Sequence, residues 1–198
     1  MRDGPMPDAL VRIFLTLCLL AFTLIVGVPL HRRRWKPITI TKARSLKNRA
    51  MELGLLIGLV GWLAWLLHVI VRGTNDLLVQ QLGGMLELGS FYLVAALLGA
   101  ALLIAGLLLV ALGISEMDDQ WRIGIDEQDP QTRVVQTGIF KVLRHPIYTG
   151  ICCIAGGAVL VLPHFVTAAL AVGSIAGAVA QMKLEETVMR ERFGDAYK

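Results

Sequence analysis

The stretch Gly138-Ile139-Phe140-Lys141-Val142-Leu143-Arg144-His145-Pro146-Ile147-Tyr148-Thr149-Gly150 lies where a polar segment gives way to an apolar one. Proline suits the first turn of a helix, where its missing N–H would find no intrahelical partner anyway. Pro146 is therefore expected to open the apolar helix that follows, with Arg144 and His145 at its N-terminal end. That end offers unpaired N–H groups and a favourable dipole to an anion. The alternative reading is an interfacial anchor, because cations and tyrosines collect at membrane surfaces.

The apolar residues on either side of this stretch come in long runs. The chain has 198 residues, 56% of them hydrophobic and 17% charged. Residues 10–30, 53–71 and 91–114 form runs of 19 to 24 residues, whereas 147–162 gives 16 and 165–182 gives 18. At a rise of ~1.5 Å per residue and a hydrocarbon core ~30 Å thick, the first three can span a bilayer. The fourth is short and the fifth borderline. Only Pro163-His164 separates them, which predicts a tight helical hairpin. The expected fold is all-α: a polytopic integral membrane protein of five transmembrane helices, its C-terminal hairpin extending into the cytoplasm. Residues 10–30 do not read as a signal peptide, because the basic block His31-Arg32-Arg33-Arg34-Trp35-Lys36 follows the apolar run instead of preceding it.

Basic residues set the expected orientation. Of the 19, 16 fall in 31–49, 115–146 and 183–198, leaving Arg2, Arg12 and Arg72 elsewhere. The positive-inside rule puts those three segments in the cytoplasm and the N-terminus outside, with a bacterial plasma membrane as the expected location. The net charge of +4 reflects topology and gives no reason to expect nucleic acid. Eight cations in 31–49 suit an anionic lipid surface.

Other features exclude function classes. Cys18, Cys152 and Cys153 lie in apolar runs, form no disulfide framework and show no zinc spacing. The acids Glu116, Asp118, Asp119, Asp126, Glu127 and Asp129 lack EF-hand spacing and read as a solvated loop, so no metal is expected. No apolar run carries a chain of carboxylates or cations, which weighs against a transporter or pump. His68 reads as a hydrogen-bonded or interfacial residue. G-x-x-x-G patterns at Gly54/Gly58 and Gly173/Gly177 read as helix-packing signals, as does the small-residue group Ala95, Gly99 and Ala100. The last helical pattern continues beyond the membrane to Phe193, with Gly194 as its cap. Along it, Glu186 and Arg190 are spaced to pair, and Gln181 and Glu185 share a face.

The ordered set Trp121-Arg122, Val134-Val135-x-x-Gly138-x-Phe140-x-x-x-Arg144-His145-Pro146-x-Tyr148-x-Gly150, Glu185-Glu186 and Phe193-Gly194-x-x-Tyr197 resembles the isoprenylcysteine carboxyl methyltransferase family and the related phospholipid N-methyltransferases. The resemblance covers residues 115–198. It implies a membrane enzyme that uses S-adenosylmethionine, bound at the cytoplasmic face. The implied cofactor residues are Val134, Val135, Phe140, His145, Pro146, Ile147, Tyr148 and Glu185. Arg144 and Glu186 are the implied catalytic residues, and Gln181, Trp121 and Arg122 face the substrate. On this reading residues 1–114 form a three-helix membrane part, and 115–198 hold the cofactor loop, the hairpin and the helix extension within one domain. The acceptor is a lipophilic small molecule or lipid-modified group. Relatives often carry tyrosine in place of Phe140, and prenylcysteine enzymes carry arginine in place of Gln181. Glutamine cannot pair with a substrate carboxylate as arginine does. The rival readings are a membrane sterol reductase using a nicotinamide cofactor and a non-enzymatic membrane accessory protein.

Overall fold

The computed structural model describes residues 8–32, 46–82, 91–123 and 133–194. The chain forms six α-helices over these residues: α1 (Asp8–Arg32), α2 (Leu46–Arg72), the short α3 (Leu77–Gln81), α4 (Tyr92–Met117), α5 (Pro146–Val161) and α6 (Phe165–Phe193). No β-strand forms among the described residues. The basic block 33–36, the acids Asp126, Glu127 and Asp129, and Tyr197 lie outside them.

α1, α2, α4 and α6 are long and apolar enough to cross a membrane. α5 has 16 residues, about 24 Å of helix, and is shorter than the hydrocarbon core. It begins at Pro146, as its sequence predicts, and α6 runs unbroken to Phe193 with Gly194 (φ +54) as its cap. His164 makes the tight corner between them. It is fully buried, its Nδ1 accepts from the Val166 N–H at 3.0 Å, and its Nε2 lies 3.1 Å from the Val79 carbonyl.

The closest approach in the bundle is between α4 and α5. Gly99, Gly106 and Gly113 on α4 meet Gly150, Gly157 and Ile147 on α5. A Cβ at Gly99 would lie 2.7 Å from the Gly157 carbonyl oxygen, and one at Gly106 would lie 2.6 Å from that of Gly150. A Cβ at Gly113 would lie 2.5 Å from Ile147 Cγ1. Glycines at heptad spacing keep one stripe turned toward a neighbouring helix, and without side chains the backbones can touch. The G-x-x-x-G patterns behave differently from their expected role. Gly54, Gly58 and Gly173 have no atom within 4 Å of where a Cβ would be. Only Gly177 is filled in, by Leu55 of α2. The motif marks small residues, but nothing in it says which of them face a partner.

Hydrogen bonds at membrane depth join the remaining helices. Trp65 donates to Thr167 at 3.0 Å and Trp62 to Ser174 at 2.7 Å, tying α2 to α6. Tyr92 donates to the Val161 carbonyl at 2.9 Å, tying α4 to α5. At the end of the bundle where α1 starts, Asp8 accepts from the Thr74 amide at 2.8 Å and hydroxyl at 2.7 Å, and Arg12 Nε donates to the Ile70 carbonyl at 2.7 Å. His68 is hydrogen-bonded, as expected, at 3.0 Å from Asp76, which also caps α3. Burial alone would raise the Asp76 carboxyl, but bonds from Leu78 N–H, Arg72 and His68 hold it below the usual carboxylate range. The flanks of α4, α5 and α6 that carry Arg122, Arg133, Lys141, Arg144 and Arg192 gather around one cavity.

Gly106→Ala and Gly157→Ala should each destabilise the protein by about 1–3 kcal/mol, because backbone atoms block the new methyl. Gly54→Ala and Gly58→Ala should be neutral or stabilising by up to about 1 kcal/mol, through helix propensity alone. Thermal unfolding in detergent measures the contrast, and equal effects at the four positions would contradict the α4–α5 contact.

Candidate active site

The polar segment between α4 and α5 is folded back over the helix ends by side chains that bind main chain. α4 ends at Met117, and Asp118 (φ +42) turns the chain into a short 3-10 helix, Asp118–Gln120. Trp121 then drops into an apolar cluster with Leu30, Val110 and Ile114. Gln120 is buried, and its Oε1 accepts from the Arg133 amide at 3.0 Å. Arg133 also pairs with Asp119 at 2.9 Å. A second tether holds the segment further along. Thr137 donates to Glu116 Oε2 at 3.1 Å, and Gly138, at φ +50, leaves the space that the Glu116 carboxylate fills. The 3-10 helix Gly138–Lys141 follows and delivers Arg144 and His145 to the start of α5.

α6 meets that start with two adjacent glutamates that face different partners. Glu185 accepts a hydrogen bond from the Tyr148 hydroxyl. Glu186 gathers three partners: His145 Nε2 at 3.2 Å, Arg190 at 3.0 Å and Arg144 at 3.9 Å. Arg144 and His145 are thus drawn to a carboxylate on α6, beyond what their place at a helix start implies. The bond from Arg190 confirms the expected pairing along α6.

These elements enclose a cavity of about 540 Å³, within the range typical of small-molecule sites. Val134, Val135, Phe140, Arg144, His145, Pro146, Ile147, Tyr148, Glu185 and Arg122 line it, all of them singled out by the sequence. Glu186 does not line it but holds two of the residues that do. Gln181 is not part of the lining either. It is buried, at 3% exposure, beside Tyr148 and Glu185. Trp121, read as substrate-facing, is 6% exposed and packs in the apolar cluster below the cavity.

Several lining residues were missed. Val188, Met189 and Arg192 lie one and two turns after Glu185 on the same face of α6, so helical periodicity from Glu185 could have found them. Gln120 and Arg133 had no sequence signal, because their contact joins two separated stretches. The wall is strongly basic: Arg122, Arg133, Lys141, Arg144 and Arg192 against Glu185. Such a wall suits a ligand that carries an anionic group. Apolar side chains of Val134, Val135, Phe140 and Met189 offer flat contact area beside it.

The family model described as phospholipid methyltransferase matches residues 94–196. The chain belongs to this family. The match takes in α4, the tethered segment, α5 and α6, the parts that build the cavity, and leaves α1 and α2 outside it. The family includes isoprenylcysteine carboxyl methyltransferase-like proteins, in agreement with the resemblance read from the sequence. It is a family of membrane methyltransferases, in keeping with the four long apolar helices. No curated protein and no solved structure matches the chain.

Gly138→Ala should strain the tethered segment of this methyltransferase. Its left-handed backbone disfavours a side chain and the Glu116 carboxylate fills the space, for a cost of about 1–3 kcal/mol. Gly156→Ala, where nothing lies within 4 Å, is the control. Limited proteolysis should cut the segment around residue 137 faster in the first variant than in the second.

Proposed function

We propose that the protein is an S-adenosylmethionine-dependent methyltransferase acting on a lipophilic acceptor at the cytoplasmic membrane face. The observation that carries this reading is the cavity itself: five basic side chains, the start of α5, a single carboxylate, Glu185, and apolar side chains share one lining. When bound, the cofactor supplies a methyl group made electrophilic by its sulfonium sulfur. Its carboxylate suits the N-terminal turn of α5 and the Arg144 side of the wall. Its ammonium suits Glu185, and its adenosine suits Val134, Val135, Phe140 and Met189. Methyl transfer requires the nucleophile, the methyl carbon and the sulfur in line, so the chain's contribution is positioning and exclusion of water. Glu186 serves that end by fixing Arg144 and His145 in place. Family membership supports methyl transfer over the nicotinamide-dependent reductase.

The basic residues gathered around the cavity support the cytoplasmic orientation, with α5 completing five crossings as the short arm of the hairpin. A lipophilic acceptor then reaches the cavity from the bilayer. Gln181 stands where prenylcysteine enzymes carry arginine, and it is buried beside acidic side chains. A carboxylate arriving there would be desolvated beside a glutamine that cannot pair its charge, at a cost of several kcal/mol. The acceptor is therefore an amine-bearing or neutral lipophile.

Radiolabelled S-adenosylmethionine should bind the detergent-purified protein and resist competition by NADPH. Glu185→Ala or His145→Ala should weaken that binding by about 1–3 kcal/mol, the usual cost of losing a charged hydrogen bond. Glu191→Ala, further along α6, should leave it unchanged. No loss at 185 or 145 would remove the site from consideration. With a methyl-labelled cofactor, amine-headed lipophiles should be methylated at least about tenfold faster than a farnesylcysteine-type acid, a gap of about 1.4 kcal/mol. The reverse order would show that Gln181 does not exclude carboxylates.

A further inference from the structure

The 3-10 helix Gly138–Lys141 and the Val142 that follows it hang between two contacts with α4. Thr137 donates to Glu116, and Pro146 and Ile147 lie against Gly113. Residues 138–145 are thereby held beside the part of α4 between Gly113 and Glu116, about 5 Å of helix axis. This is where α4 changes character. Residues 91–114 carry no charge, and Ser115-Glu116 follow. A helix that crosses a bilayer meets the head groups where its uncharged run ends. The start of α5, at Gly113, still lies within that run, and the 3-10 segment stands at the level of the membrane surface.

Val142 is 80% exposed, and it is the one exposed large apolar side chain between α4 and α5 among the described residues. In a water-soluble protein a lone exposed valine needs no explanation. Here its level along the bundle gives the exposure a meaning, because a side chain that points outward at this height meets the boundary between acyl chains and head groups. Lys141 beside it is also exposed and forms no ion pair among the described residues, whereas Arg133 pairs with Asp119 and Arg144 with Glu186. A lysine can lay its methylene stem along an apolar surface and hold its ammonium among head groups. Both residues line the cavity.

We propose that Lys141 and Val142 form a lipid contact at the rim of the cavity, in which Val142 enters the acyl boundary and the Lys141 ammonium pairs with the anionic head group of a membrane lipid. The partner is the bilayer, and the charge on Lys141 favours an anionic lipid over a zwitterionic one. The contact sets this rim of the cavity in the membrane surface, so a lipophilic ligand passes from bilayer to cavity without crossing water. It rests on the level, exposure and chemistry of the two residues and would stand in a protein that transfers no methyl group.

Val142→Trp reads the contact in the full chain, since an 80% exposed position leaves room for the ring. Fluorescence of the four native tryptophans is measured on the unaltered protein and subtracted. The protein is placed in nanodiscs of phosphatidylcholine brominated on its acyl chains, and in unbrominated nanodiscs with acrylamide in the water. Leu108→Trp, at an exposed position of α4, is the lipid reference, and Glu191→Trp, at an exposed position near the end of α6, is the water reference. Val142→Trp should be quenched by the brominated lipid as Leu108→Trp is, and shielded from acrylamide. Exchanging half of the phosphatidylcholine for phosphatidylglycerol should raise the ratio of seated to water-exposed ring about fivefold, the attraction expected of one lysine at an anionic surface. Lys141→Gln, introduced beside Val142→Trp, should remove that lipid dependence. Quenching at 142 that follows Glu191→Trp would overturn the proposal. So would a ratio that ignores phosphatidylglycerol, or one that still responds to it in Lys141→Gln.

Discussion

The backbone contact between α4 and α5 is the constraint on which the rest depends. Gly99 and Gly106 lie against Gly157 and Gly150 so closely that a methyl group on any of them would strike a carbonyl oxygen. In a bilayer, helices gain little from hydrophobic exclusion of one another, and close packing of small residues takes its place. This contact fixes where α5 starts. Gly113 presses on Ile147, next to Pro146, and so the N-terminal turn of α5 is held against the end of α4. The cavity is built around that turn.

The second fixed point is the pair of glutamates on α6. Two adjacent residues of a helix point about 100° apart, so one element can serve two purposes at the same level. Glu185 turns inward to Tyr148, and Glu186 turns to His145, Arg144 and Arg190. Arg144 and His145 at the start of α5 are thereby held by a residue that lies outside the cavity. An anion entering the site meets cations whose positions are already set, and the ordering cost falls on folding instead of binding.

The division of labour in the chain also follows from packing. The family's matched region carries α4 to α6 and the tethered segment, and this is where the basic wall and Glu185 arise. α1 and α2 close the bundle, through Trp65 and Trp62 on α6 and through the Asp8 and Arg12 bonds at the far end. Leu55 over Gly177 sets the register between α2 and α6.

Much of this was legible in the sequence for one-dimensional reasons. Long apolar runs specify membrane helices by length, Pro146 and Gly194 set helix ends by backbone geometry, and the ordered motif from Trp121 to Tyr197 carried the family. Ten of the residues read from it line the cavity. What the sequence could not decide was which faces meet. Gly54 and Gly58 look as much like packing residues as Gly106 and Gly150 do, yet they face open space. Trp121 looks like a binding aromatic and is a core residue. Glu52 looks like the polar edge of a span and is 3% exposed. In each case the answer depends on rotation about a helix axis and on register between helices, which are set by contacts between residues far apart in the chain. Composition and spacing determined that there are helices, where they end and which residues carry chemistry. Only tertiary packing decided which of those residues share a cavity, because helix pairing is a sum of contacts that no single stretch contains.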